Sequence, residues 1–418
     1  MAQLSDDCFA FGGRLMPVDE AIAEFDRRLD IVVGTETVAL RNAVGRFLAE
    51  DMVAGRSVPP HDNSAVDGYA VFFDDLRRDA ETALPVIGRV AAGHPLDGVA
   101  GRGAAVRVFT GAPMPAGPDT VLMQEDCRVE GDRVVIPPGI KRGANYRHAG
   151  EDIADGSVIL RAGRRLRPRD IGLAASVGLD RLPVRCRLRV ALFSTGDEVR
   201  EPGTPAPDGC IYDANRHALA GQLTRLGCIV DDLGIAADRP RAVRAVLDRA
   251  VTGHDLIVSS GGMSTGDEDH VKAAVETAGG TLHAWRLAIK PGRPVALGQI
   301  GPVPFIGLPG NPVAVLVTFL RVARPLILKL AGGDEPPPRL YPVRADFAYR
   351  KKRDRRDYVR VTLADGADGM PVARKFPRDG AGVLSSMVAA DGLVELAEAV
   401  VDVAPGDQVP FLPFAELE

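Results

Sequence analysis

Between residues 188 and 330, short apolar runs and longer amphipathic segments take turns, and few folds tolerate that rhythm. The runs at 188–193, 228–235, 256–258, 281–289 and 303–307 are rich in Val, Ile and Leu, as buried strands are. Between and after them, 214–226, 240–251, 269–277 and 313–328 have helical spacing. Gly227 and the pair Gly279, Gly280 stand where helices would end. Strands that alternate with helices pair in parallel, with helices on both faces of the sheet. Ligands of such a sheet sit in the crevice beyond the carboxyl ends of its strands. The residues after each strand are therefore where chemistry is expected.

The flanking segments read differently. Residues 18–29 have helical spacing, with Ile22, Phe25 and Leu29 on one side, and 38–48 carry a second helical pattern. From 51 to about 146, the runs 85–90, 104–109, 120–123 and 133–136 alternate with Gly and Pro turns, which predicts a small all-β unit. A β-like piece at 150–166 and a short helix at 168–177 follow. After a linker at Pro336–Pro338 the chain returns to β texture, with Asp-Gly turns at Asp365, Asp379 and Asp391. A chain of 418 residues exceeds what one core serves, so two to four domains are expected.

Composition removes several function classes. A net charge of -5 gives no bulk attraction for nucleic acid, so any anion site must be built locally. The most apolar stretch, 312–330, is broken by Arg321, Arg324 and Lys329 and is too polar to span a bilayer. The N-terminus carries acids and no long apolar core, unlike a signal peptide. Five cysteines without a CxxC pair argue against disulfides or zinc and suit a reducing cytoplasm. The seven histidines lack HxxxH spacing, and neither GxSxG nor a Walker-type loop occurs.

The strand ends carry the candidates. After 256–258 the chain reads SSGGMSTGDED. Gly261, Gly262 and Gly266 remove side chains where backbone could close around a phosphate, and Asp267, Glu268 and Asp269 offer hard oxygen ligands. The first strand ends similarly in Ser194-Thr195-Gly196-Asp197-Glu198. One such end is commonly a helix cap or a solvated loop, whereas two in one parallel sheet converge on one crevice. Asp238, after a third strand, reads equally as an N-cap or a ligand. Lys290-Pro291-Gly292-Arg293-Pro294 sets two cations in a stiff segment, suited to an oxyanion or else to a surface turn. Pro309-Gly310-Asn311-Pro312 is a structural turn whose backbone could floor the crevice. Outside this region, Asp62–Tyr69, Thr110–Pro113 and the RHAGEDI segment with Arg147 and Asp152 have bland readings as turns when taken singly.

Taken together and in order, PPHDNSAVDGYAV, FTGAPMPAGPDTV, RHAGEDI, STGDE, SSGGMSTGDEDHVK, AIKPGRP and GLPGNP resemble the molybdopterin molybdenumtransferase family, which includes MoeA and the E domain of gephyrin. The resemblance covers about residues 15 to 410. It implies a multidomain α/β plus β architecture. A segmented N-terminal domain would take 1–50 and 150–185, and an inserted β domain 51–149. A molybdopterin-binding-type parallel α/β domain would take 186–332, and a C-terminal β-barrel 338–418. It also implies a cytoplasmic homodimer whose active site lies between the α/β domain of one subunit and the inserted domain of the other. The implied reaction inserts molybdenum from molybdate into adenylylated molybdopterin, with Mg²⁺-dependent release of AMP. The preceding adenylyltransferase and acceptor molybdoenzymes would be further partners.

Residue by residue, the resemblance makes Glu198, Asp238 and Asp269 metal ligands and catalytic groups, with Lys290 beside them. Asp67 and Thr110 would come from the partner. Gly261, Gly262, Ser264, Gly266, Arg293, Pro309 and Pro312 would bind the substrate, with Arg147 and Asp152 near the interface. Arg360 would be a second oxyanion contact, and Ser385 or Ser386 a further one. This chain departs from the family's usual KPGKP by carrying Arg293, and His61 and Val66 stand where Phe and Met are common. Competing readings are the adenylyltransferase step, which shares the α/β domain, and a binding or scaffold role.

Overall fold

The computed structural model describes residues 15–96, 98–262 and 270–417. The alternating region forms one six-stranded sheet: β1 (Arg189–Thr195), β2 (Ile229–Ala236), β3 (Leu256–Ser260), β4 (Thr281–Arg286), β5 (Pro294–Ile300) and β6 (Val303–Leu308), in the order β2-β1-β3-β6-β5-β4. Strands β2, β1, β3 and β6 run parallel. The sequence pattern omits β5, which lies antiparallel between β6 and β4. Only Gly301 and Pro302 separate β5 from β6, and a connection that short permits no crossover helix, so the two strands form a hairpin.

Alternate residues of these strands enter opposite cores. Val190, Leu192, Leu256, Val258 and Leu308 face one layer with helix α1 (Asn215–Arg225) and the segment 312–330. Ala191, Phe193, Ile257 and Phe305 face the other, with α2 (Pro240–Ala250) and α3 (His270–Thr277). Burial on both faces is why the strands read as unbroken apolar runs. The helix at 312–330 passes through a π turn at Phe319–Ala323 before continuing as Arg324–Leu330. Pro325 lacks the N–H that an α-turn needs, which accounts for the wider turn just before it.

Helix Val18–Arg28 docks Val18, Ala21 and Phe25 into the first of these cores. The second helix expected at 38–48 is absent. Thr35–Ala39 is a strand paired antiparallel with Arg181–Arg185, followed by a single 3-10 turn at Leu40–Asn42. The apolar spacing there reflects one small core in which Ala43 and Leu48 meet Leu160, Leu166, Leu182 and Val184. Tertiary pairing, rather than local helix propensity, sets the backbone in this segment.

The segment from 63 to 136 contains a six-stranded sheet in the order Thr120–Met123, Gly68–Val71, Ala105–Val108, Thr82–Val90, Arg133–Ile136, Arg128–Glu130. The C-terminal region closes a five-stranded barrel. Arg356–Ala364 pairs with Val372–Lys375, then Tyr341–Ala345, Gln408–Pro413 and Gly392–Leu396 follow, and the last pairs back with Arg356–Ala364. A sixth short strand, Ile289–Lys290, comes from the α/β region and lies parallel to Arg356 and Asp357. Arg356 also forks onto Asp19 of the N-terminal helix, with both bonds at 2.7 Å.

That fork holds the Asp19 carboxyl below its ordinary value. A depressed carboxylate stabilises the fold above its unfolded value, and the contribution disappears as pH falls through the folded one. Asp19→Asn should therefore lower the urea midpoint at neutral pH and make progressively less difference below the ordinary 3.8. The effect should be small, because the Asp19 side chain is 68% exposed and water screens the pair.

Candidate active site

A crevice of about 680 Å³ opens at the carboxyl ends of β1, β2, β3 and β6, where an open α/β sheet places its ligands. Each strand delivers its motif there: Ser194, Thr195, Gly196 and Glu198 from β1, Asp238 from β2, Ser260 to Gly262 from β3, and Pro309 to Pro312 from β6. The opposite wall is the turn from Lys290 to Pro294. The barrel closes it with Tyr349, Arg355, Tyr358, Arg360 and Asp379.

Local sequence explains how these ends stay open. Gly261 has φ of +86°, and a Cβ there would stand 2.5 Å from the Thr195 carbonyl oxygen, so only glycine lets β3 turn beside β1. Its N–H donates to the Leu308 carbonyl (3.1 Å), which ties the turn to β6. Gly292 has φ of +104°, and a Cβ would press on Thr318 Oγ1 at 2.1 Å, so the cation turn packs directly on the helix from Pro312.

The acids divide by their partners. Asp197 Oδ1 accepts from the Asp238 backbone N–H (3.0 Å) and holds the two strand ends together. The N-cap of α2 is Arg239 and makes no side-chain cap bond, so capping is not Asp238's role. The Asp238 carboxylate instead accepts from Thr195 Oγ1 at 3.4 Å and lines the crevice with Glu198. The Ser194 hydroxyl, also in the crevice wall, is buried with no partner among the described residues. Asp269, Ser264 and Gly266 lie outside the described residues.

The cations are held by the barrel. Lys290 Nζ donates to Tyr349 OH (3.1 Å), and Arg293 is exposed at the rim, where a smaller cavity of about 310 Å³ with Lys352 and Arg353 adjoins it. Arg360 is 6% exposed and has no carboxylate within ion-pair reach among the described residues. Its Nε donates to Ser386 Oγ (3.1 Å), and its Nη2 to the carbonyls of Arg378 (3.3 Å) and Gly380 (3.4 Å). Burial depresses its pKa. Ser386 is fully buried beneath Arg360 and donates to Val383 O (2.6 Å), whereas Ser385 is exposed.

The candidates Asp67, Thr110, Arg147 and Asp152 do not line this crevice in the same chain. They do meet one another. Asn63–Ser64 pairs with Tyr146–Arg147, and Asp62 accepts from Tyr146 OH (2.5 Å) and Ala149 N (2.7 Å), so DNSAVDGYAV and RHAGEDI form one surface. Asp67 Oδ1 accepts from Thr110 N (2.7 Å) and Thr110 Oγ1 (2.8 Å), bonds that hold its carboxyl below the usual range. Arg147 pairs with Glu151 at 2.5 Å, and Asp152 donates its backbone N–H to Val58 O (3.1 Å) with its side chain exposed.

Sequence reasoning misses several residues of the wall, Asn215, Tyr349 and Arg355 among them. Asn215 Nδ2 donates to Ser260 Oγ (3.0 Å) and Gly310 O (2.7 Å), joining the ends of β3 and β6. Tyr349 and Arg355 come from the cation-rich run YRKKRDRRDYVR, a charge cluster that could have marked them.

Three family models tile the chain in order. The MoeA N-terminal region (domain I and II) matches residues 16–178, the probable molybdopterin binding domain 191–329, and the MoeA C-terminal region (domain IV) 342–414. A molybdopterin molybdenumtransferase of Haemophilus influenzae is 35% identical over 96% of this chain and 100% of its own. The molybdopterin molybdenumtransferase 2 of Mycobacterium tuberculosis is 36% identical over 89% of this chain and 93% of its own. The molybdopterin biosynthesis MoeA protein of Pyrococcus horikoshii superposes with a TM-score of 0.82 at 28% identity, covering 96% of this chain and 100% of that one. Near-complete coverage on every side, with the α/β crevice, the inserted sheet and the barrel all present, means that the chain belongs to the MoeA family of molybdopterin molybdenumtransferases.

Proposed function

We propose that this chain transfers molybdenum from molybdate into adenylylated molybdopterin, with magnesium-dependent release of AMP. The observation that carries this reading is the Arg360 guanidinium, buried without an ion pair among the described residues and only partly compensated at longer range by Asp379, in the wall of a crevice that also holds Glu198 and Asp238. A buried cation is costly unless an anion completes it. The substrate's oxyanion would do so, with Lys290 and Arg293 as its other contacts. The backbone at Gly261 and Gly262 would hold phosphate, and Ser264, Gly266, Pro309 and Pro312 the rest of the molybdopterin.

The oxygen donors in this wall are of the class Mg²⁺ takes, and the described residues supply two carboxylates of the set rather than a complete ligand group. Glu198 and Asp238 supply hard oxygens, and the partnerless Ser194 hydroxyl lies in the same wall. These two carboxylates, with Asp269, would hold the ion, which when bound supplies Lewis-acid neutralisation of the phosphoanhydride charge. The protein's own contribution is to neutralise the oxyanion with fixed cations and to orient both substrates in a walled site.

We further place the chain in a homodimer. Asp67, Thr110 and Arg147 from the segment 51–149, and Asp152 just after it, lie off the crevice of their own chain, which favours their supply to the partner's site. Among the described residues no helix is long and apolar enough to cross a membrane. A cytoplasmic location, an adenylyltransferase upstream and molybdoenzymes downstream complete the proposal.

Purified protein with adenylylated molybdopterin, Mg²⁺ and molybdate should yield AMP. ATP consumption with free molybdopterin would instead mean the adenylyltransferase step, and binding without turnover a scaffold role. Arg293→Lys, which restores the family's usual residue at an exposed rim position, should keep most of that AMP release. Complete loss in that variant would show that the guanidinium fork is essential.

A further inference from the structure

We infer that Tyr349, on the C-terminal barrel, is a positioning residue that fixes the Lys290 ammonium for its oxyanion, through a chain that ends on the buried carboxylate of Asp357. The inference rests on the oxyanion role of Lys290 proposed above.

The hydroxyl of Tyr349 stands between two groups. It donates to Asp357 Oδ2 (3.0 Å) and accepts from Lys290 Nζ (3.1 Å). A phenol has a single proton, and an ionised carboxylate can only accept, so the proton points to Asp357. The oxygen lone pairs then face Lys290, which has only donors to offer. The direction of both bonds is thereby fixed.

Asp357 is a firm anchor. It is fully buried, and Arg355 clamps it with bonds of 2.7 and 2.9 Å. Lys290 Nζ itself lies 3.9 Å from Asp357, too far for a hydrogen bond, so the hydroxyl is the direct link. Burial and the neighbouring carboxylate push the Tyr349 pKa up, which keeps the relay proton in place across the working range.

The arrangement leaves Lys290 useful. One of its three N–H groups is committed to Tyr349, and the others remain for a ligand in the crevice it lines. The ring of Tyr349 also lies under two cations, Lys290 at 5.5 Å and Lys375 at 6.0 Å from its centroid. Tyr349→Phe keeps that ring and removes only the oxygen, so it isolates the hydrogen-bond chain.

Two measurements on the full chain decide the matter. The first is competitive acetylation read by mass spectrometry, with the other lysines as internal references. Freed from its bond, Lys290 in Tyr349→Phe should react about tenfold faster relative to them. The second is AMP release as a function of molybdate. The variant should raise the KM for molybdate by about tenfold, with kcat within about threefold of wild type and an unchanged thermal midpoint. A fall in thermal midpoint with no change in either readout would mean that Tyr349 is merely structural, and the inference is overturned. An unchanged labelling ratio overturns it whatever the kinetics show. Faster labelling with an unchanged KM also overturns it, since the bond would then exist without positioning anything for the reaction. If wild type releases no AMP, the activity itself is wrong, and the labelling ratio alone decides whether Tyr349 holds Lys290.

Discussion

Lys290→Ala is expected to cut AMP release by about 100- to 1,000-fold, the usual consequence of deleting a fixed group that stabilises charge in a closed site. The same variant should unfold at nearly the wild-type temperature. The two expectations follow from one geometry. Lys290 has a side chain 43% exposed, and its only direct hydrogen bond among the described residues goes to the hydroxyl of Tyr349. Removing the ammonium leaves no charge stranded, because Asp357 keeps its bidentate bond to Arg355 and its bond from Tyr349. The ammonium is thus nearly irrelevant to the fold and central to the anion. A steady-state assay with AMP quantified, run beside a thermal melt, separates these effects. Wild-type-like turnover in this variant would remove Lys290 from the mechanism and leave Arg293 and Arg360 as the remaining candidates for the oxyanion.

Arg356→Ala should do the opposite and cost about 3–5 kcal/mol of stability. Arg356 is 8% exposed and serves three acids at once: Asp19 with both bonds at 2.7 Å, Glu395 at 3.1 Å and Glu398 at 3.1 Å. Glu395 is 7% exposed, so truncation leaves a buried carboxylate with Arg321 as its remaining ion-pair partner. The penalty comes mostly from that desolvated carboxylate, which keeps Arg321 but loses the second of its two compensating cations. The variant also unpins the N-terminal helix from the barrel. A denaturant titration should show a lower midpoint, and limited proteolysis should cut earlier around residues 15–30. Arg356→Lys should recover only part of the loss, because an ammonium cannot fork onto Asp19. A midpoint within error of wild type for Arg356→Ala would mean that the network contributes nothing net.

The legible part of this protein is the part whose geometry repeats. Parallel strands flanked by helices bring their carboxyl ends to one line. Glu198, Asp238 and Gly261 could therefore be grouped from the sequence although they are far apart in it. The β texture of the segments 51–146 and after 338 is legible too, because short apolar runs there alternate with Gly, Pro and Asp-Gly turns. What was not legible depends on register between distant elements. Lys290 finds Tyr349 because Ile289–Lys290 happens to pair with Arg356–Asp357, and no local pattern announces that pairing. The 38–48 segment misled for a related reason: its spacing fits a helix, but its partner strand lies at Arg181–Arg185. Strand β5 was hidden by a turn too short for a crossover. Asn215 was invisible because its amide matters only once the ends of β3 and β6 stand side by side.

The short strand Ile289–Lys290 belongs by chain to one domain and by hydrogen bonds to another. This limits how the chain can be cut and recombined. A break at Pro336–Pro338, the obvious seam, would leave the α/β region with an orphaned strand and an unanchored cation turn. A barrel borrowed from another protein would have to accept Ile289–Lys290 beside its own strand, in the same register. A transplanted barrel would therefore have to bring that segment with it, and exchanges that separate them should yield folded but inactive hybrids.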